Sequence, residues 1–308
     1  MIYKYLLILT FFGILITSCS DSDNKELEVL DVESFEVPDS LMGDDFVPEQ
    51  NKEVVDDIIQ NISSPVEMAA LLLDEGIKFN YKFLSSADNV DEFNTSFKQA
   101  LNLGVLGADM GYLNMYNKTG SALNYITAIK ELSDELKVGQ FFNFETLKRL
   151  ASSNNNLDSL MYLSVSSFDN MDAYLREHSR SNISTLLVTG VWVEGFYLIT
   201  QVEKEKDNET IRERIGEQKI TLDQLLIVLR QYKKDKRFFN LVTRLEKLEE
   251  ALSKVKIIET EGETEMQEVD GILMAVSSTT TDVEMTDEQL TNIIAAVEDV
   301  RAFVISIQ

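Results

Sequence analysis

The sequence predicts an all-α protein, built as a multi-helix bundle or as stacked helix pairs. From about residue 52 to 254, apolar residues recur three and four positions apart, which places them on one face of an α-helix. The strict alternation that is typical of strands is absent from this region. Sequences matching the capping box, in which two side chains satisfy free backbone N–H groups, recur along the chain at Ser64-Pro65-Val66-Glu67, Thr221-Leu222-Asp223-Gln224 and Thr286-Asp287-Glu288-Gln289.

The helix boundaries follow from these starts and from glycines that end helices. Gly76 and Gly139 each come after an apolar-periodic run, and glycine readily takes the left-handed conformation that ends a helix. We therefore predict helices at 54–61, 65–76, 89–117, 121–137, 144–152, 157–179, 183–206, 209–216, 221–234, 237–254 and 287–306.

Two of these helices are apolar on more than one face, which predicts a place at the centre of the bundle. Residues 183–202 contain a single charged residue, Glu194, and also Trp192, the only tryptophan. The other central helix, at 101–116, holds small residues that let a neighbouring backbone approach closely: Gly104, Gly107, Ala108 and Gly111. The more charged helices form the outer layer of the 53–254 helical domain.

The composition changes after residue 254. Residues 255–285 are acidic and rich in Thr and Ser, and they are predicted to form an acidic linker or a small β-hairpin near 255–284. The strands are expected at 255–260 and 272–276. A terminal helix within 286–308 has apolar residues along one side and is expected to pack back on the bundle.

The first residues, 1–18, are predicted to be a secretory signal peptide. An apolar run extends from Tyr5 to Ile16, and Lys4 is the only charged residue before it. This run is shorter than the roughly 20 apolar residues that span a membrane. Cys19, the only cysteine of the chain, follows directly.

The sequence Ile16-Thr17-Ser18-Cys19 resembles the lipobox of bacterial lipoproteins. In that family the peptidase cleaves before the cysteine, whose sulfur carries a diacylglycerol, and more than one acyl chain gives stable anchoring. The resemblance implies that Cys19 is lipidated, so that the mature chain has no free thiol for disulfides, zinc binding or nucleophilic catalysis. The alternative is an ordinary signal peptide with a chance cysteine.

The region 19–52 is predicted to be a disordered acidic tether. Its only basic residues are Lys25 and Lys52, and mutual repulsion of the acids keeps it extended. The acids just after Cys19 resemble the export signal of Bacteroidota lipoproteins that face the cell exterior, although a plain polar tether has the same composition. Asp39-Ser40-Leu41 resembles the O-glycosylation sequon of these bacteria, with Ser40 as the attachment site.

The segments LGVLGADMGYLNMYNKT, LKVGQFFNFETLKRLA and LLVTGVWVEGFYLITQV resemble uncharacterised Bacteroidota outer-membrane lipoproteins. The resemblance covers roughly residues 50–305. It implies a helical fold and a location in the cell envelope. It implies no activity and no functional residues.

Charge and residue counts exclude several functions. The chain has 28 basic and 53 acidic residues and a formal charge of −25, and such a surface repels nucleic acids. His178 is the only histidine, so a two-histidine zinc or di-iron site cannot form; it is expected to lie exposed at a helix C-terminus. GxSxG, phosphate-loop and GxGxxG motifs are absent. We predict neither a metal nor a cofactor.

Two features remain as candidate functional sites. Asp109 and Glu194 lie in the two apolar helices, where a carboxylate needs a partner or keeps its proton. If the two meet in a cleft they are candidate catalytic acids; otherwise they are structural. The second feature is a basic cluster made of Arg230, Lys233, Lys234, Lys236 and Arg237. It forms either a solvated turn or a docking surface, whose partner would be the tether, the acidic segment 259–288 or an anionic glycan.

The sequence therefore favours a lipid-anchored, non-enzymatic binding or scaffold protein at the outer membrane, facing the exterior. Its expected partners are the membrane, through Cys19, and an envelope protein or glycan. Two alternatives remain open. One is a carboxylate-dependent hydrolase that uses Asp109 and Glu194, and the other is capture of a cationic peptide or metal ligand by the acidic surface.

Overall fold

A computed structural model describes residues 71–88, 90–151, 157–260, 264–269, 272–277 and 280–307. All of them belong to one compact unit, and α-helices dominate, as the sequence predicts. Several predictions lie outside the described residues: the signal peptide, Cys19, the tether with Ser40, the helix at 54–61 and the capping box at Ser64.

The helices follow the predicted order. Residues 71–74 are helical, and Gly76 then takes a left-handed φ of 66°, as expected for a helix stop. Eight longer helices follow in the described ranges: α1 (Ser96–Met115), α2 (Thr119–Glu135), α3 (Phe144–Ala151), α4 (Leu157–Glu177), α5 (Ser181–Glu205), α6 (Glu209–Leu229), α7 (Lys236–Ser253) and α8 (Asp287–Ile305).

The region between α7 and α8 contains two nested antiparallel strand pairs, so the predicted hairpin near 255–284 is confirmed. The outer pair runs from Lys256 opposite Glu284 to Thr260 opposite Thr280, and the inner pair joins Thr264 to Ser277 and Val269 to Ile272. The strands are β1 (Lys256–Thr260), β2 (Thr264–Val269), β3 (Ile272–Ser277) and β4 (Thr280–Glu284). The second and fourth of these strands were not predicted.

Helix α1 begins seven residues later than the predicted start at 89. Thr95 is its N-cap, and the Thr95 side chain accepts a hydrogen bond from the Lys98 N–H. Residues Val90–Glu92 form a separate 3₁₀ turn instead. The apolar spacing alone did not distinguish this turn from a continuous helix.

The predicted break between 209–216 and 221–234 is wrong, because α6 runs through both segments. Thr221 is buried inside the helix and does not cap a new one. Gly216 is a packing glycine: a Cβ there would lie 2.4 Å from Val283 of β4. Its lack of a side chain therefore lets the strand pair approach α6.

The predicted stop at Gly139 is also displaced. Lys137 takes the left-handed φ of 57° that follows α2, while Gly139 begins a short 3₁₀ turn. A Cβ at Gly139 would lie 2.1 Å from the Asp134 Oδ1. This glycine serves close packing against the end of α2.

Helices α1 and α5 form the central pair, as predicted, and their backbones touch at two glycines. A Cβ at Gly104 would lie 2.2 Å from the Leu187 carbonyl oxygen, and one at Gly190 would lie 2.0 Å from that of Leu101. Neither position accepts a side chain without moving a helix. The sequence indicated Gly104, but Gly190 was missed.

Helix α5 is long and apolar enough to cross a membrane, yet 78% of its apolar 18-residue stretch is buried inside the protein. Its position beside α1, with α4, α6 and α8 also packed on it, is that of a core helix. Trp192 of this helix is buried as well, and its indole N–H donates to the Gln218 Oε1 at 2.9 Å.

The terminal helix α8 packs on α7, α5 and α1. It begins with the predicted capping box: the Thr286 side chain accepts from the Gln289 N–H, and the Gln289 side chain accepts from the Thr286 N–H. Its core-facing side buries Leu290, Ile293, Val297, Val300 and Val304.

The contact between glycine backbones makes a mutational prediction. Gly190→Ala will lower the free energy of unfolding by roughly 1–3 kcal/mol, because the new methyl group forces α1 and α5 apart. Gly195→Ala in the same helix is the matched control, since nothing lies within 4 Å of its Cβ position. It should be neutral or stabilising by up to about 1 kcal/mol. Urea unfolding followed by circular dichroism measures both, and equal effects would contradict the contact.

Candidate functional site

The structure brings Asp109 and Glu194 together inside the bundle. Asp109 lies on α1 and Glu194 on α5, and both residues are 0% exposed. The charge of Glu194 acts directly on Asp109. The two acids that the sequence singled out therefore form one buried pair.

A third residue, Arg301 of α8, neutralises the pair. Its Nε donates to the Glu194 Oε2 and its Nη2 to the Glu194 Oε1, both at 2.7 Å. Nη2 also donates to the Phe83 carbonyl oxygen at 3.2 Å, and the guanidinium lies 3.9 Å from the centroid of the Tyr197 ring. A bidentate, stacked guanidinium of this kind is the arrangement that suits arginine and not lysine.

The surroundings of Asp109 favour its protonated form. Burial, and secondarily the charge of Glu194, raise the pKa of Asp109 well above its usual range. Its Oδ2 accepts a hydrogen bond from the Ser85 N–H at 2.9 Å, whereas Oδ1 receives none from the described residues. Because Arg301 binds both oxygens of Glu194, Asp109 is the acid of the pair that favours its neutral form.

A neutral tyrosine closes the cluster from α2. The Tyr125 hydroxyl donates to the Ser85 carbonyl oxygen at 2.5 Å. Burial raises the pKa of Tyr125 above its ordinary value. The phenol therefore stays protonated and fixes the same residue whose N–H binds Asp109.

The closed arrangement binds structural elements together and does not expose a reactive group. General acid–base catalysis needs a carboxyl group within hydrogen-bonding reach of a substrate. Here both acids are fully buried, and residues Phe83 and Ser85 lie over them through their backbone hydrogen bonds. The geometry favours the structural interpretation of the pair.

The sequence contained a signal for Arg301 that was missed. Arg301 is the only basic residue of the predicted terminal helix, four positions after Val297 and three before Val304. That spacing puts it on the apolar side of the helix, where a charge needs a buried partner. The partner acid, Glu194, was itself singled out, but it lies 107 positions earlier in the chain, and no local pattern connects the two residues.

A second buried cation, Lys98 of α1, was also missed. Its Nζ donates to the Phe303 carbonyl oxygen at 2.6 Å and to the Ser306 hydroxyl at 3.0 Å. Burial, helped by the charge of Arg244, lowers the pKa of Lys98 to about 8. Lys98 thus caps the C-terminal end of α8, where free carbonyl groups attract a cation.

The basic cluster after α6 is paired largely with acids of its own neighbourhood. Arg230 binds Glu246 and Glu249, and Lys233 also binds Glu246, at 2.6 to 3.1 Å. These pairs link the end of α6 to α7. Arg237 binds Asp235, the N-cap of α7, while Lys234 and Lys236 add further positive charge to the turn.

His178 lies exposed just after the last turn of α4, where the sequence placed it. Its Nδ1–H donates to the Tyr174 carbonyl oxygen at 2.8 Å, and the centroids of the His178 and Tyr174 rings are 4.0 Å apart. This is a helix-end contact. Among the described residues, no group of three or more His, Cys, Asp or Glu side chains is arranged to hold a metal ion.

The comparisons with known proteins give one partial similarity. The chain is 32% identical over 98 residues to the argininosuccinate lyase of Prochlorococcus marinus strain MIT 9215, and 30% identical over 98 residues to that of strain AS9601. Each match covers 31% of this chain and 20% of the enzyme, so the chain spans about a fifth of the length of these relatives. No protein-family profile and no solved structure matches the chain.

The pairing of Glu194 with Arg301 predicts a large effect of one substitution. Glu194→Gln leaves the buried guanidinium without a charged partner, so the free energy of unfolding should fall by about 3–5 kcal/mol. Urea unfolding near neutral pH measures the loss. A loss below about 1 kcal/mol would mean that the ion pair is not formed as described.

Replacing Asp109 by its amide should have a different effect from replacing Glu194, because the surroundings of Asp109 favour its neutral form. Asp109→Asn keeps an acceptor for the Ser85 N–H and supplies an N–H toward Glu194, so its stability near neutral pH should match or exceed that of the wild type. The wild-type free energy of unfolding should fall as pH rises from about 4 toward the raised pKa, because only the folded state keeps the proton. Asp109→Asn should lack this contribution. A variant as unstable as Glu194→Gln would show that Asp109 is ionised.

Proposed function

We propose that this chain is a lipid-anchored cell-envelope protein that acts as a non-enzymatic binding or scaffold protein at the outer membrane. The observation that carries the proposal is the order of sequence features at the N-terminus. An apolar run is followed by Ile16-Thr17-Ser18-Cys19 and then by an acidic segment, which is the order of signal, lipid attachment and tether.

The buried cluster supports a non-enzymatic role. Glu194 is bound by Arg301, the surroundings of Asp109 favour its neutral form, and both are covered by the chain itself. A hydrolase that uses these acids would need a further state in which they reach solvent. The partial similarity to argininosuccinate lyase assigns no residue of this chain, and we transfer no activity from it.

The strongly negative chain excludes anionic surfaces as partners that charge attraction alone would select. With a formal charge of −25, the protein repels anionic lipid and nucleic acid, so the lipid on Cys19 has to supply the membrane affinity. We propose an envelope protein or glycan as the partner and an outward-facing position on the outer membrane, with Ser40 as a glycan attachment site.

The anchor predicts how the protein partitions. In detergent phase separation of cells that express the full chain, the wild type should enter the detergent phase, and Cys19→Ala should stay in the aqueous phase. Ser18→Ala is the matched control, because a small residue before Cys19 is kept and lipidation should persist. Protease treatment of intact cells tests the outward position. A wild-type protein in the aqueous phase would overturn the anchor.

The partner is tested by crosslinking intact cells and purifying the wild-type and Cys19→Ala proteins in parallel. One envelope protein or glycan recovered with the wild type alone supports an anchored adaptor. Recovery of cationic peptides that is lost at high salt would replace this proposal with capture by the acidic surface. Failure to recover a specific partner in repeated experiments would count against the binding role.

A further inference from the structure

The segment 77–88, which we call the strap, crosses the acid pair with little regular structure of its own. It contains one 3₁₀ turn, Tyr81–Phe83. The backbone hydrogen bonds of this turn, Phe83 N–H to the Asn80 carbonyl and Leu84 N–H to the Tyr81 carbonyl, are both long, at 3.3 Å. A segment with so few internal bonds depends on the body of the protein to hold it in place.

The body holds the strap through apolar packing, with Phe83 in the core, and through five hydrogen bonds between body side chains and strap backbone. The Tyr116 hydroxyl donates to the Ile77 carbonyl at 2.9 Å, and the Tyr112 hydroxyl accepts from the Asn80 N–H at 3.1 Å. The other three contacts all belong to the buried cluster: Arg301 to the Phe83 carbonyl, Ser85 N–H to Asp109, and Tyr125 to the Ser85 carbonyl. The acid pair and the strap are therefore one cooperative unit.

The charges that face the pair make its closed state sensitive to one proton. Asp109 is faced by Glu194 from α5 and by Arg301 from α8. The phenols of Tyr125 on α2 and Tyr197 on α5 lie near the same charges. If Asp109 ionises while the strap is closed, two fully buried carboxylates face a single guanidinium. Opening the strap admits water, which stabilises both carboxylates and lets the proton leave.

We propose that residues 77–88 form a proton-linked strap: opening of the strap releases the proton that Asp109 holds beside Glu194, so rising pH opens the strap and exposes the two acids and Arg301 to solvent. The proposal concerns the body of the protein and does not depend on its anchor or its partner. It also defines the open state in which the acid pair would become accessible to a ligand.

Amide hydrogen exchange of the full chain tests the linkage. Protection factors, which are already corrected for the intrinsic pH dependence of exchange, should fall by up to about tenfold per pH unit at Ser85 and Leu84 as pH rises above the ordinary carboxyl pKa of about 4. One released proton gives this slope. In Asp109→Asn the same protection factors should not change with pH.

Two controls separate the linkage from general loosening. Tyr125→Phe removes one strap contact without removing a charge, so the strap amides should exchange faster at every pH and keep the wild-type slope. Amides in α7, such as that of Leu245, report global unfolding and should stay better protected than the strap at every pH. Any one of three results would overturn the proposal. The strap protection factors of the wild type would not change with pH, those of Asp109→Asn would keep the wild-type slope, or the strap would be as well protected as α7.

Discussion

The contact of two bare backbones at Gly104 and Gly190 is the constraint on which the rest of the structure depends. It brings α1 and α5 closer than side chains would allow. Asp109 and Glu194 follow these glycines by little more than one helical turn each. The close approach therefore puts two carboxyl groups into the same dry space, and the protein has to compensate for them.

The compensation comes from distant parts of the chain. Arg301 reaches the pair from α8, the strap covers it from the other end of the sequence, and Tyr125 joins the strap to α2. Lys98 holds the far end of α8 in place. Replacing such a polar cluster by apolar side chains often leaves stability unchanged or improved, so its value lies in fixing which elements meet and in which register.

Local features of the fold were predictable because their causes are local. The apolar spacing of α2, α5 and α7 and the capping box of α8 depend on neighbours within four residues. The prediction was wrong where a local signal had a distant use. Thr221 read as a helix start after a helix predicted at 209–216, but tertiary packing decides there, since Gly216 makes room for β4. The two acids were identified from their apolar surroundings, whereas the residues that complete their site lie too far along the chain to be paired by pattern.

The location of Arg301 in the last helix also affects the order in which the molecule can be completed. During synthesis, Asp109 and Glu194 are made long before Arg301, the cation that binds Glu194 within the described part of the chain. Their burial is therefore unfavourable until residue 301 has been added. Chains cut short before that point retain an uncompensated acid in the core, which makes them open more readily to proteases than the full-length product.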